Sequence, residues 1–171
     1  GEPLTDSSGD IEAIYRSTDG GQTWTMVLDA EEAITSLLVD PADSNYVYGG
    51  VLNWFGGEYA GFLKSSDGGD TWTSTDVSDW SYGVLALAAT PPVGGIPTLY
   101  AYGSDDYGVF KSSDRGDTWA PTGLIFDGGP TYIAEVGVLA VDPVDPDVVY
   151  CGTYKSDGQV YRTANSGDTW D

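Results

Sequence analysis

The sequence predicts an all-β fold made of repeated four-stranded units, and three observations carry that prediction. The first is composition: 24 of 171 residues are Gly, 9 are Pro and 13% are aromatic. Asp, Gly, Ser and Thr cluster at short intervals between runs of Val, Tyr, Leu and Ile, the punctuation of short strands joined by turns. The second is a ten-residue segment that occurs four times, at Tyr15–Trp24, Leu63–Trp72, Phe110–Trp119 and Tyr161–Trp170, with Trp spacings of 48, 47 and 51. The third is a pair of further landmarks in constant order. Leu37–Pro41, Leu87–Pro91 and Leu139–Pro143 recur at spacings of 50 and 52, followed by Tyr48, Tyr100 and Tyr150.

Each unit of about fifty residues holds four strand-like runs. In the second unit they are Ile34–Val39, Tyr46–Leu52, Gly61–Ser65 and Thr71–Ser74, here named A to D. Four strands at such a period predict a propeller blade. A blade buries both faces of its sheet, so strand A should be short and apolar. The runs Val84–Ala89 and Val136–Val141 fit that. The units fall at about 1–30, 31–78, 79–126 and 127–171, all within one propeller section. Counted in strands, this is C and D, then two whole blades, then A, B and C, or about three and a half blades.

The repeated segment ends in Ser/Thr-x-Asp/Asn-x-Gly-x-Thr-Trp. It predicts a hairpin turn between strands C and D. Gly21, Gly69, Gly116 and Gly167 would supply positive φ. The hydroxyls of Ser17, Ser65, Ser112 and Thr163 and the oxygens of Asp19, Asp67, Asp114 and Asn165 would accept hydrogen bonds from turn amides. Trp24, Trp72, Trp119 and Trp170 would open strand D and fill the gap to a neighbouring blade. These four segments resemble the Asp-box, or bacterial neuraminidase repeat, and with the other landmarks nearly the whole chain is similar to that superfamily. In style it is nearest to the xyloglucanase-type and sortilin-type propellers. The resemblance implies a β-propeller of six or more blades per ring, with the boxes on the face away from the ligand site. It fixes the fold more closely than the function.

A section of three and a half blades would leave sheet faces and edges uncovered. The expected partners are therefore the remainder of a longer propeller chain or another copy of this one, a compact four-blade ring being the third possibility. The B–C and D–A connections share the face opposite the boxes. They carry Trp54 and Trp80, the two tryptophans outside the boxes, with Tyr59, Tyr82 and Tyr107. Aromatic faces beside carboxylates suit a polysaccharide, because rings stack on C–H surfaces and acids bind hydroxyls. The competing expectation is that these aromatics only fill a loop cluster.

Glu58, Asp79 and Asp106 are the candidate catalytic acids for a xyloglucanase-type glycosidase, which needs two separated carboxylates. No spacing singles out a pair among them and Asp105 and Asp127. A sialidase would need an arginine cluster for its substrate's carboxylate. The chain has only Arg16, Arg115 and Arg162, all in or beside the boxes.

Composition excludes much else. Six Lys and Arg against 27 acids, 21 of them Asp, give a net charge of −21. Such a chain repels nucleic-acid phosphates and anionic lipid. With no run of eighteen apolar residues, no membrane insertion is expected. There is no histidine and one cysteine, Cys151. Internal disulfides, Cys-rich zinc sites and His-based catalysis are thereby excluded, and no metal or cofactor is expected. The run Asp142, Asp145, Asp147 lacks the spacing of a calcium loop and reads as turn chemistry. No signal peptide is evident, and Gly1 in place of Met points to processing, excision or a partial chain. The acidic surplus suits a secreted protein or a high-salt habitat, and with scarce cysteine it fits an extracellular or cell-surface protein. The sequence thus supports a scaffold or binding module for glycan or protein, with a fragment of a xyloglucanase-type hydrolase as the alternative.

Overall fold

The computed structural model describes residues 13–30, 32–52, 61–75, 83–103, 108–124, 136–153 and 158–171. These form thirteen strands and, among the described residues, no helix. β1 (Ala13–Arg16) and β2 (Thr25–Asp29) form a two-stranded sheet. β3 (Ala33–Val39), β4 (Val47–Leu52), β5 (Phe62–Ser65) and β6 (Thr73–Thr75) form the next, in that order. β7 (Val84–Ala89), β8 (Leu99–Gly103), β9 (Val109–Ser112) and β10 (Ala120–Pro121) repeat it. β11 (Val136–Val141), β12 (Val149–Thr153) and β13 (Val160–Thr163) form a three-stranded sheet. All pairings are antiparallel between consecutive strands.

Register repeats with the sequence. Tyr48 faces Lys64, Tyr100 faces Lys111 and Tyr150 faces Arg162 across the B–C ladder. The residue after each box Trp faces the same cation, as in Thr25–Arg16, Thr73–Lys64 and Ala120–Lys111. Asp171 and Arg162 exchange two backbone hydrogen bonds in that same relation. The A–B ladders slip once near the start of strand A, between Ile34 and Ser36, Val84 and Ala86, and Val136 and Val138. A bulge adds local twist, so the same bend recurs in each unit.

The core is split into three layers, each between consecutive sheets. Ile14, Val51 and Leu63 fill the first, with Val27, Ile34 and Trp72 against them. Tyr48, Phe62, Val84, Leu99 and Ala101 fill the second, with Phe110 and Trp119. Ala86, Ala88, Tyr100, Val109, Leu139, Val149 and Cys151 fill the third, with Trp170. Cys151 is fully buried and burial pushes its thiol up to about 12, so it serves as a small apolar residue.

Three expectations need adjustment. Strand D starts at Thr73 rather than Thr71, because the Thr71 amide and hydroxyl are both bound to Asp67. Strand B starts at Val47, because the Tyr46 amide closes the preceding turn on the Asp43 carbonyl. The box tryptophans are also less buried than expected. Trp72, Trp119 and Trp170 are half-buried against the sheet before their own, and Trp24 is 62% exposed.

Candidate functional site

The antiparallel order puts the boxes and the A–B turns at one rim and the B–C and D–A connections at the other. The box rim is fully described. In each box the Ser or Thr hydroxyl donates to the Asp or Asn Oδ1 at 2.7–2.8 Å. The same hydroxyl accepts the Gly21, Gly69, Gly116 or Gly167 amide at 2.8–2.9 Å. Oδ1 then accepts the amide of the box Thr at 2.8–3.0 Å. In three boxes the Thr hydroxyl donates to Oδ2 at 2.5–2.6 Å. In the fourth the direction reverses, and Asn165 Nδ2 donates to Thr169 Oγ1 at 2.9 Å. These donors hold Asp19 and Asp67 down to about 2, the Thr23 and Thr71 hydroxyls contributing most. Asp114 is also lowered, its hydrogen bonds to Thr118 and Ser112 outweighing the burial that opposes them.

The boxes also join one sheet to the next, a role that reading the turns in isolation missed. Arg16 donates to the Gly68 carbonyl at 2.7 Å and pairs with Asp70 at 2.6 Å. Lys64 pairs with Asp117 at 2.6 Å. Lys111 pairs with Asp168 at 3.0 Å and donates to the Ser166 carbonyl at 2.9 Å. Each cation is the last or next-to-last residue of strand C of one sheet, and each acid directly follows the box glycine of the next. The signal was present in the sequence as Asp70, Asp117 and Asp168 after the glycines, with Gln22 in the first box. Exposed ion pairs of this kind are worth ~0–1 kcal/mol each, so they set orientation more than stability.

Close approach makes the same junction. A Cβ on Gly116 would lie 2.4 Å from the Phe62 ring, and Phe62 meets Trp119 edge-on at 5.2 Å. A second link runs from the Arg115 Nε to Asp40 at 3.0 Å, with the guanidinium 4.2 Å from the Tyr46 ring centre. The Asp40 side chain is fully buried and also accepts from the Tyr48 hydroxyl and the amides of Ala42 and Asp43. Burial alone would raise Asp40, but those donors and Arg115 bring it below the ordinary carboxylate range. Asp142 and Asp145 serve their own turn, accepting the amides of Val144, Asp145 and Asp147. A cavity of about 280 Å³ on the box rim is lined by Lys111, Ser113, Trp119 and Ser166, but its lysine is already engaged by Asp168 and the Ser166 carbonyl.

Of the opposite rim the structure describes the strand ends and short stretches beside them, among these the buried Ala30 and Glu32 between β2 and β3. There Leu52 bridges to Gly83 between two sheets, and the Thr35 hydroxyl donates to the Val84 carbonyl at 2.5 Å. Gly83, at φ +112°, lies so near Val51 that a Cβ would sit 1.9 Å from the Val51 carbonyl oxygen. The expected ligand residues Trp54, Tyr59, Trp80, Tyr82 and Tyr107 lie outside the described residues, as do Glu58, Asp79 and Asp106.

No protein-family model matches the chain, and no curated protein matches it. Solved structures do. A GH74 enzyme of Niastella koreensis matches with a TM-score of 0.54 and 22% identity, over 93% of this chain and 33% of that one. YCF48 of Cyanidioschyzon merolae matches with a TM-score of 0.55 and 18% identity, over 84% of this chain and 38% of that one. YCF48 bound to a D1 peptide matches with a TM-score of 0.52 and 16% identity, over 84% of this chain and 40% of that one. The chain thus spans between a third and two fifths of the proteins it matches. Likeness at these identities speaks of fold alone. With its order of two, four, four and three strands, the chain is a section of a β-propeller, two whole blades between two partial ones.

Proposed function

We propose that this chain is the scaffold part of a secreted or cell-surface propeller that presents its B–C and D–A connections as a binding face for a glycan or a protein. The observation that supports it most is the repeated junction on the box rim, where cation, acid and glycine lock each blade to the next. A rim so fixed leaves the other as the one free to vary, and its connections hold the two tryptophans outside the boxes. The units run near 1–30, 31–78, 79–126 and 127–171, and the ring is completed by the remainder of a longer chain or by another copy.

Binding of a soluble β-glucan should shift the Trp fluorescence, and Trp54→Ala or Trp80→Ala should weaken it about tenfold, the size of one lost stacking platform. Neutral glycans that leave the signal unmoved would remove the sugar-binding reading. A protein segment would then be the better ligand, in keeping with the peptide-bound form of one structural neighbour.

The second reading is a section of a glycoside hydrolase, favoured by the likeness to a GH74 enzyme. In it Glu58, Asp79 and Asp106 are the acids to test. Release of reducing ends from xyloglucan, lost in the Gln or Asn variant of one of them, is its signature.

A further inference from the structure

The last sheet repeats the acceptor half of the inter-blade junction. In the two whole blades, the face that receives the next box is buried: Tyr48, Phe62, Tyr100 and Val109 are all 0% exposed. The same positions on the β11–β13 sheet are Tyr150 at 38% and Val160 at 71%, with Val138 beside them at 57%. Arg162 holds the position of Arg16, Lys64 and Lys111. Its Nε reaches only the Tyr150 hydroxyl, at 3.4 Å, and among the described residues it forms no ion pair.

We infer that the face formed by Val138, Tyr150, Val160 and Arg162 is a docking surface for a further box-bearing β-hairpin whose residue after the box glycine is acidic. The glycine would lie against Tyr150 and Val160, as Gly116 lies against Phe62 and Gly167 lies near Tyr100. The acid would pair with Arg162, as Asp70, Asp117 and Asp168 pair with their cations. This rests on the reading that further blades complete the ring, and it selects among them. The first box of a second copy is disfavoured. Its Gly21 is exposed and available, but Gln22 stands where the acid should be.

The test supplies that acid. The wild-type chain, Gln22→Asp, and Gln22→Asp combined with Arg162→Glu are compared by sedimentation over a concentration series at low and high salt. Position 22 is exposed, so the substitution leaves the core untouched. Gln22→Asp should associate head to tail about two- to fivefold more tightly than wild type, the effect of one exposed ion pair. The gain should vanish with Arg162→Glu and shrink at high salt. Equal association of wild type and Gln22→Asp would overturn the acid selectivity while leaving completion of the ring by other blades intact. A gain that survives Arg162→Glu would overturn the assignment to Arg162. If none of the three associates, an acid after the box glycine does not suffice to dock a box on this face, and both the inference and ring completion by a second copy fall.

Discussion

At the scale of single residues the box carboxylates dominate. Asp19 and Asp67 sit near 2, below the usual 3.8, because the fold offers donors to the charged form. A carboxylate lowered on folding adds stability that is complete above its unfolded value and is lost as pH falls through its folded value. The melting temperature should therefore hold down to about pH 4 and drop between about 4 and 2, and Asp67→Asn should flatten that drop. The Asn variant should still fold, since Asn165 shows the turn closing with its amide donating to Thr169. A drop unaffected by Asp67→Asn would place the acid sensitivity elsewhere. The hydroxyls divide by burial. Ser65 is 1% exposed and holds the buried Gly69 amide, so Ser65→Ala should cost about 1–3 kcal/mol in denaturant unfolding. Ser17→Ala should cost less, because the Gly21 amide it frees is exposed to water.

At the scale of elements, each sheet leans on the turn of the next. Gly116→Ala combines a φ of +82° with a Cβ 2.4 Å from the Phe62 ring, and should destabilise by about 2 kcal/mol or more. Gly20→Asn makes the opposite comparison. Gly20 has open space around it at φ +73°, and Arg115 and Ser166 hold the same box position at φ 60° and 56°. That variant should unfold at nearly the wild-type denaturant concentration. A loss equal to that of Gly116→Ala would mean that backbone conformation, not contact with Phe62, sets the requirement. Strand order and turn chemistry were legible in the sequence because both rest on local rules, alternation and a fixed hydrogen-bonding motif. The burial of the box tryptophans was not, because it depends on which sheet stands in front of each turn. Trp24 carries the same motif as Trp72 and yet is exposed. The cation–acid junction was half legible: the repeated Arg or Lys was visible, but its partner lies in the next unit, beyond the reach of local pattern. The expected ligand residues Trp54 and Trp80 stay an expectation, outside the described residues.

At the scale of the molecule, 27 acids face 6 cations. Four of those cations form ion pairs among the described residues. Added salt weakens both these attractions and the general self-repulsion, and the repulsion involves far more charges. The melting temperature should therefore rise as sodium chloride goes from low to moderate concentration. A fall would show that the cross-sheet pairs outweigh the net charge.

The hand-over from cation to acid also makes the units interchangeable parts. Lys64 Nζ meets Asp117 Oδ1 at the same distance, 2.6 Å, at which Arg16 Nη2 meets Asp70 Oδ1. Cutting out the β3–β6 sheet and joining its neighbours would bring Arg16 opposite Asp117, and neither charge would be stranded. Copying that sheet would likewise add one cation and one acid in matching positions. Gain or loss of a whole unit by duplication or deletion in the gene thus keeps this cation–acid contact matched at every described seam, while the Arg115–Asp40 link, particular to the seam between β3–β6 and β7–β10, would be lost or left one-sided.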